Sequence, residues 1–245
     1  MTSELFSRQA LLLGDDIMER IAQRRVIIFG VGGVGGWCAE SLVRSGIRHL
    51  TLVDPDVVNA TNVNRQVVAT NSSMGRPKVE VMRERLLDIN PEADILAMQK
   101  TYSKETMHEF PLEDYDYVVD AIDSLKDKIQ LAVHATSIVP LSTQRGVRGE
   151  SVFFSSMGAA LRTDPTKVKV TEFWKVRNDT LGAMMRKRMR QRGLMPGHKY
   201  LCVYSDELPQ PRRGDVNGTV CQVVGVFGFT LASLVINDII MHSEL

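Results

Sequence analysis

Cysteine is almost absent. Cys38, Cys202 and Cys221 are the only three in 245 residues, and none forms a CxxC pair. That excludes a disulfide framework and a four-cysteine zinc site, so no zinc is expected, and free thiols suit a reducing cytoplasm. An excess of either charge is missing too. With 30 basic and 29 acidic side chains the formal net charge is +1. Nothing draws the whole molecule to nucleic acid or to an anionic membrane, and a basic site has to be local. The amino-terminal run MTSELFSRQALLLGDD has neither the lysines nor the apolar length of a signal peptide. Long apolar runs are missing with one exception: residues 220–236 carry no charge over 17 positions, at the short edge of a bilayer span. No lysine or arginine flanks them closely, and Gly225, Gly228 and Ser233 would let a helix lie close to its neighbours. The expectation is a buried helix, not a membrane span.

What is present is a regular alternation. RRVIIFG (24–30), HLTLVD (49–54), ADILAMQK (93–100), YDYVVDAID (115–123) and VPLSTQR (139–145) are short apolar runs and predict strands. Residues 33–45 repeat Val34, Trp37, Cys38, Leu42 and Val43 at helical spacing. PKVEVMRERLLDIN (77–90) opens with proline, a favoured first-turn residue, and KDKIQLAVHATSI (126–138) predicts a third helix. Strands alternating with helices predict a doubly wound, Rossmann-like, mainly parallel α/β sheet. Beyond about residue 148 the alternation fails. ESVFFSS (150–156) and KVKVTEFWKV (167–176) read as strands that bring antiparallel additions in an irregular C-terminal lobe, and KYLCVYSDE (199–207) reads as a short strand. Residues 176–192 read as a basic helix and 208–218 as a loop. One domain over 1–245 is expected, with 5–148 and 149–245 as its two parts.

Five glycines, Gly30, Gly32, Gly33, Gly35 and Gly36, stand where the first strand turns into the first helix. Glycine there permits a tight turn and lets phosphate approach backbone amides at a helix N-terminus. Asp54 ends the second strand, where an acid can bind ribose hydroxyls. This much serves any ribose with phosphates, NAD included. The residues that follow discriminate. Asn62, Arg65, Gln66 and Lys78 come next. A neutral nicotinamide pocket has little use for an arginine and a lysine, whereas a triphosphate attacked at its α-phosphorus builds charge that they offset. Asp123, in AIDS at the end of the fourth strand run, would sit by the phosphates, placed to hold Mg²⁺.

FSRQ, GVGGVG, Asp54, NVNRQ, GRPK and AIDS, in that order within residues 5–145, resemble the adenylating domain of ubiquitin-activating-type enzymes. Such enzymes attach AMP from ATP to a carboxylate. The resemblance implies ATP and Mg²⁺, with Asp54 on the ribose, Asn62 on the α-phosphate, Arg65 and Lys78 clamping the phosphates, and Asp123 on the metal. It also implies a homodimer in which Arg8 reaches into the partner subunit's site. Gly30, Gly32, Gly33, Gly35 and Gln66 complete the nucleotide contacts. Members that activate ubiquitin-like sulfur carriers usually have two CxxC pairs on zinc, so carrier activation is the alternative reading here.

DAIDS, DPTKVKVTE, the basic helix, LCVYSDE and NGTVCQVVGVFGF resemble instead the branch that dehydrates threonylcarbamoyladenosine at position 37 of tRNA. There the threonine carboxylate is adenylated, the carbamoyl group attacks the activated carbonyl, and AMP leaves a five-membered ring. Ring closure is intramolecular, so effective concentration is high. Residues 186–192, RKRMRQR, hold five basic residues in seven. Arg186, Lys187 and Arg190 are read as tRNA contacts, with Arg145 and Arg148 adding to the patch. Cys202 has two readings, a core thiol in a strand or a nucleophile and sulfur acceptor. Relatives of this branch work with a cysteine desulfurase and its sulfur acceptor, which makes that pair a candidate partner, and a monovalent cation is a candidate ligand of the C-terminal lobe.

Overall fold

A computed structural model describes residues 4–138 and 151–242. Among the described residues seven strands form one sheet: β1 (Arg25–Phe29), β2 (His49–Val53), β3 (Asp94–Met98), β4 (Tyr117–Asp120), β5 (Val152–Ser156), β6 (Val168–Glu172) and β7 (Leu201–Ser205). Their spatial order is β3-β2-β1-β4-β5-β7-β6. Every pairing is parallel except that of β6 with β7. Continuous apolar runs suit this arrangement, because a parallel strand is covered on both faces. Along β1, Val26 and Ile28 enter one core while Ile27 and Phe29 enter the other.

The first core lies under α2 (Asp15–Gln23), α3 (Gly33–Arg44), α4 (Lys78–Ile89) and α7 (Cys221–Met241). The second lies under α5 (Leu125–Ile138) and α6 (Thr180–Arg192). A short helix, α1 (Ser7–Leu13), precedes α2. The uncharged stretch is α7, long and apolar enough to cross a membrane by length and composition, but packed in the first core. Val224, Phe227, Leu231 and Val235 are buried along one stripe. Each such side chain contributes about 1.5–3 kcal/mol over exposure. A Cβ at Gly228 would stand 2.6 Å from the Val34 carbonyl oxygen, so only glycine lets α7 ride directly on the α3 backbone.

Of the two C-terminal strands expected to add antiparallel, KVKVTEFWKV does so and ESVFFSS does not. β5 and β7 extend the parallel sheet, and only β6 is antiparallel. β5 buries Phe153 and Phe154 in opposite cores, the requirement of an interior strand. β6 alternates valine with lysine and threonine and takes the edge, where charge is tolerated. β5 and β6 follow each other in the chain but are not paired, because β7 lies between them. The basic helix begins at Thr180 rather than 176, since the Asp179 side chain accepts from Gly182 N–H at 2.7 Å and caps it there. The strand expected at 139–145, and Arg145 and Arg148, lie outside the described residues.

Candidate functional site

Parallel strands bring their carboxyl ends to one edge, so Gly30, Asp54 and residues 121–123 converge. Gly30 has φ +91°, and a Cβ there would meet the Ala121 carbonyl oxygen at 2.6 Å. A Cβ at Gly35 would meet the Gly30 carbonyl oxygen at 1.8 Å. The glycine turn is thus seated on the connection from β4 to α5. Gly32 stands at the start of α3, which has no side-chain cap, so the first-turn amides and the helix's partial positive charge are available to an anion. The open side of Gly32 faces Gln66 Nε2, 3.7 Å from its Cβ position. Gly33 serves packing as well: its Cβ position is 2.5 Å from Val224 of α7 and 3.4 Å from Arg65 Cγ.

Asp54 is buried. One carboxylate oxygen accepts from Val31 N–H at 2.7 Å and the other from Asp56 N–H at 2.9 Å. The side chain ties the end of β2 to the glycine turn, and each oxygen keeps a lone pair for a hydroxyl. Burial pushes its pKa above the usual carboxylate range, while the nearby Lys78 ammonium pulls it back. Lys78 opens α4, is 5% exposed, and pairs with Asp56 at 2.8 Å. Asn62 Oδ1 accepts from Asn59 N–H at 3.0 Å, leaving its amide NH₂ to donate elsewhere. The Arg65 carbonyl is held by Trp37 Nε1 at 3.2 Å, and its guanidinium by Thr61 O and Asn64 Oδ1, both at 2.9 Å. Gln66 Oε1 is buried without a hydrogen-bond partner. Asp123 is exposed on the turn beside Gly30. These residues fit a nucleoside triphosphate: uncapped amides, two cations and a ribose acid around one glycine turn. A single exposed carboxylate also fits Mg²⁺, which takes one or two protein carboxylates and completes its shell with phosphate oxygens and water.

Sequence reasoning missed a buried pair beneath this site. Asp120 and Lys128 are both fully buried, with Nζ 2.9 Å from Asp120 Oδ2. Losing one partner of such a pair costs roughly 3–5 kcal/mol, because the other charge is stranded. The available signal was Lys128 itself, a lysine on the same helix face as Leu131, Ala132 and Ala135. Asp56, the partner of Lys78, was also missed.

Other sequence candidates lie away from the turn. Arg8 is exposed on α1. Cys202 is fully buried in β7, and burial raises its thiol pKa well above the ordinary value, opposite to what a nucleophile needs. The core-thiol reading is the one this geometry favours. On α6, Met185 and Met189 are buried, but Met184 is exposed. Arg186 turns inward: Nη1 donates to the Phe173 carbonyl at 3.1 Å, and its guanidinium lies over the Phe173 ring. Arg190 covers the Trp174 ring at 5.5 Å. Lys187, Arg188 and Arg192 are exposed and form no ion pair among the described residues.

Comparison with known proteins reaches nearly the whole chain. The model of the ThiF family matches residues 6–244. The tRNA threonylcarbamoyladenosine dehydratase of Bacillus subtilis is 38% identical over 88% of this chain and 80% of its own length. The Escherichia coli protein of that name is 34% identical over 88% and 78%. Among solved structures, E. coli tRNA N6-threonylcarbamoyladenosine dehydratase, TcdA, in complex with AMP superposes with TM-score 0.87 at 30% identity, covering 98% of this chain and 96% of that one. The same protein in complex with ATP gives 0.86 at 29% identity with the same coverage.

Proposed function

The chain belongs to the ThiF family, and on that premise we propose that it is an ATP-dependent tRNA threonylcarbamoyladenosine dehydratase. What carries the reading is the extent of the likeness. It runs through the C-terminal lobe to 98% of the chain, against a structure solved with AMP. The E. coli sulfur carrier protein ThiS adenylyltransferase matches over only 58% of this chain.

The site residues then take definite roles. The α3 amides and Gly32 receive the phosphates, and Asp54 holds the ribose. Asn62 donates to the α-phosphate, while Arg65 and Lys78 balance the charge that builds as the α-phosphorus is attacked. Asp123 anchors Mg²⁺ against the phosphates. A carboxylate oxygen of the threonine moiety attacks the α-phosphorus, and the bond to pyrophosphate breaks. The carbamoyl group attacks the acyl carbon and gives up a proton. AMP departs with the former carboxylate oxygen, so the base loses one water overall. The RNA approaches across α6, where Lys187, Arg188 and Arg192 offer charge to its backbone. The protein acts as a homodimer whose sites are completed by Arg8 of the other subunit.

The test is pyrophosphate release from ATP and Mg²⁺ with one macromolecule added at a time. Release should require tRNA bearing the modified adenosine. Release with a small carrier protein ending in glycine, and none with tRNA, would replace this reading with carrier activation.

A further inference from the structure

We infer that the buried Asp120–Lys128 pair is a positioning device for Asp123: it fixes the turn that presents the metal-binding carboxylate to the phosphates. The inference rests on the reading of Asp123 as the Mg²⁺ carboxylate.

The pair grips the two peptide units that flank Ile122, one from each side. Asp120 Oδ1 accepts from the Ile122 N–H at 3.0 Å, and Lys128 Nζ donates to the Ile122 carbonyl at 2.9 Å. Asp120 Oδ2 is itself held, by Lys128 at 2.9 Å and by Ser155 Oγ of β5 at 2.7 Å. One residue beyond Asp123, Ser124 Oγ donates to Asp127 Oδ2 at 2.7 Å, and the Ser124 carbonyl accepts from Lys128 N–H at 2.9 Å. The turn is therefore pinned immediately before and after Asp123, whose own side chain is exposed. The same turn is the seat of the glycine loop, with Ala121 O 2.6 Å from the Gly30 Cβ position. Ala121 is held apart from the pair, its N–H donating to the Phe29 carbonyl of β1 at 2.8 Å.

Stability alone does not call for this pair. A buried ion pair is often matched or bettered by apolar side chains of similar volume. An apolar pair could not hold Ile122 by its N–H and its carbonyl together. Groups of this kind behind a metal ligand typically control affinity by about 10- to 100-fold.

The double variant Asp120→Asn with Lys128→Met removes both charges, so neither is stranded. The Asn side chain can still accept from Ile122 N–H, but the carbonyl is released. Two quantities are read: Mn²⁺ affinity in the presence of ATP, from the paramagnetic resonance of free Mn²⁺, and ATP affinity without metal, by calorimetry in chelator. Mn²⁺ binding should weaken by about tenfold, while metal-free ATP binding stays at the parent value. Ser155→Ala removes one bond to Asp120 and strands no charge; it should shift Mn²⁺ affinity the same way by a smaller factor. Parent-like Mn²⁺ affinity in either folded variant overturns the inference, and so does an equal loss of metal-free ATP binding. Asp123→Asn is run alongside. If that change also leaves Mn²⁺ affinity intact, the metal role of Asp123 has failed and the inference falls with it; if it alone weakens Mn²⁺, only the positioning role has failed.

Discussion

Asp123→Asn is expected to lose adenylation while melting like the parent. The side chain is exposed and makes no ion pair among the described residues, so its substitution should change stability by no more than about 0.5 kcal/mol. Activity is another matter. The amide keeps the shape but not the charge that would hold Mg²⁺ at the phosphates, and removing one preorganised electrostatic group at a reacting centre costs about a hundredfold or more. Pyrophosphate release at saturating Mg²⁺ and thermal unfolding of the same preparation check both halves. Near-parent turnover would take the metal role from Asp123, and a large drop in melting temperature would make its role structural.

Arg8→Ala and Lys78→Ala should each be inactive alone and recover activity when mixed. Gln9, next to Arg8, donates to the Ser45 carbonyl at 2.8 Å, so α1 is docked at the C-terminal end of α3. The phosphate cradle is at the other end of that 12-residue helix, about 18 Å away at 1.5 Å per residue. An arginine side chain does not cover that distance, which favours a role in a second copy's site. α1 also exposes Leu11 and Leu12 at 89% and 82%, suited to a subunit contact. After random exchange half the dimers are mixed, and each has one intact site of two. Recovery should approach about a quarter of the parent activity, as a two-fold dimer requires. No recovery after verified exchange would place Arg8 in its own chain's chemistry or make the working unit a monomer.

Local signals read well from sequence, and pairings made by folding did not. The glycine turn and Asp54 were legible because a strand, a tight turn and a helix N-terminus follow one another along the chain, and Asp54 duly meets the Val31 amide at 2.7 Å. The buried helix at 221–241 was legible from glycines at close-packing spacing. The direction of β5 and β7 was not, since it depends on which strands they pair with, and those partners are remote in sequence. Lys128 shows the same limit. Its place on an apolar face was visible, but only the sheet brings Asp120 and the Ile122 peptide to it. On α6 the sequence offered Arg186 as a tRNA contact, yet the Phe173 carbonyl and ring draw it in along its aliphatic stem. For Cys202 the sequence left a core thiol and a nucleophile both open. Between Ser155 and Thr171 on neighbouring strands it has no exposed surface.

In the proposed reaction the threonine carboxylate is activated by transfer of AMP. The most direct measurement is to supply tRNA whose threonylcarbamoyladenosine carries heavy oxygen in that carboxylate, with unlabelled ATP, and to weigh the AMP and the nucleosides after one turnover. AMP should acquire one heavy oxygen for each adenosine that has lost a water. Unlabelled AMP alongside cyclised product would contradict carboxylate adenylation, and no cyclised product from a protein that binds ATP and this tRNA would contradict the assigned reaction itself.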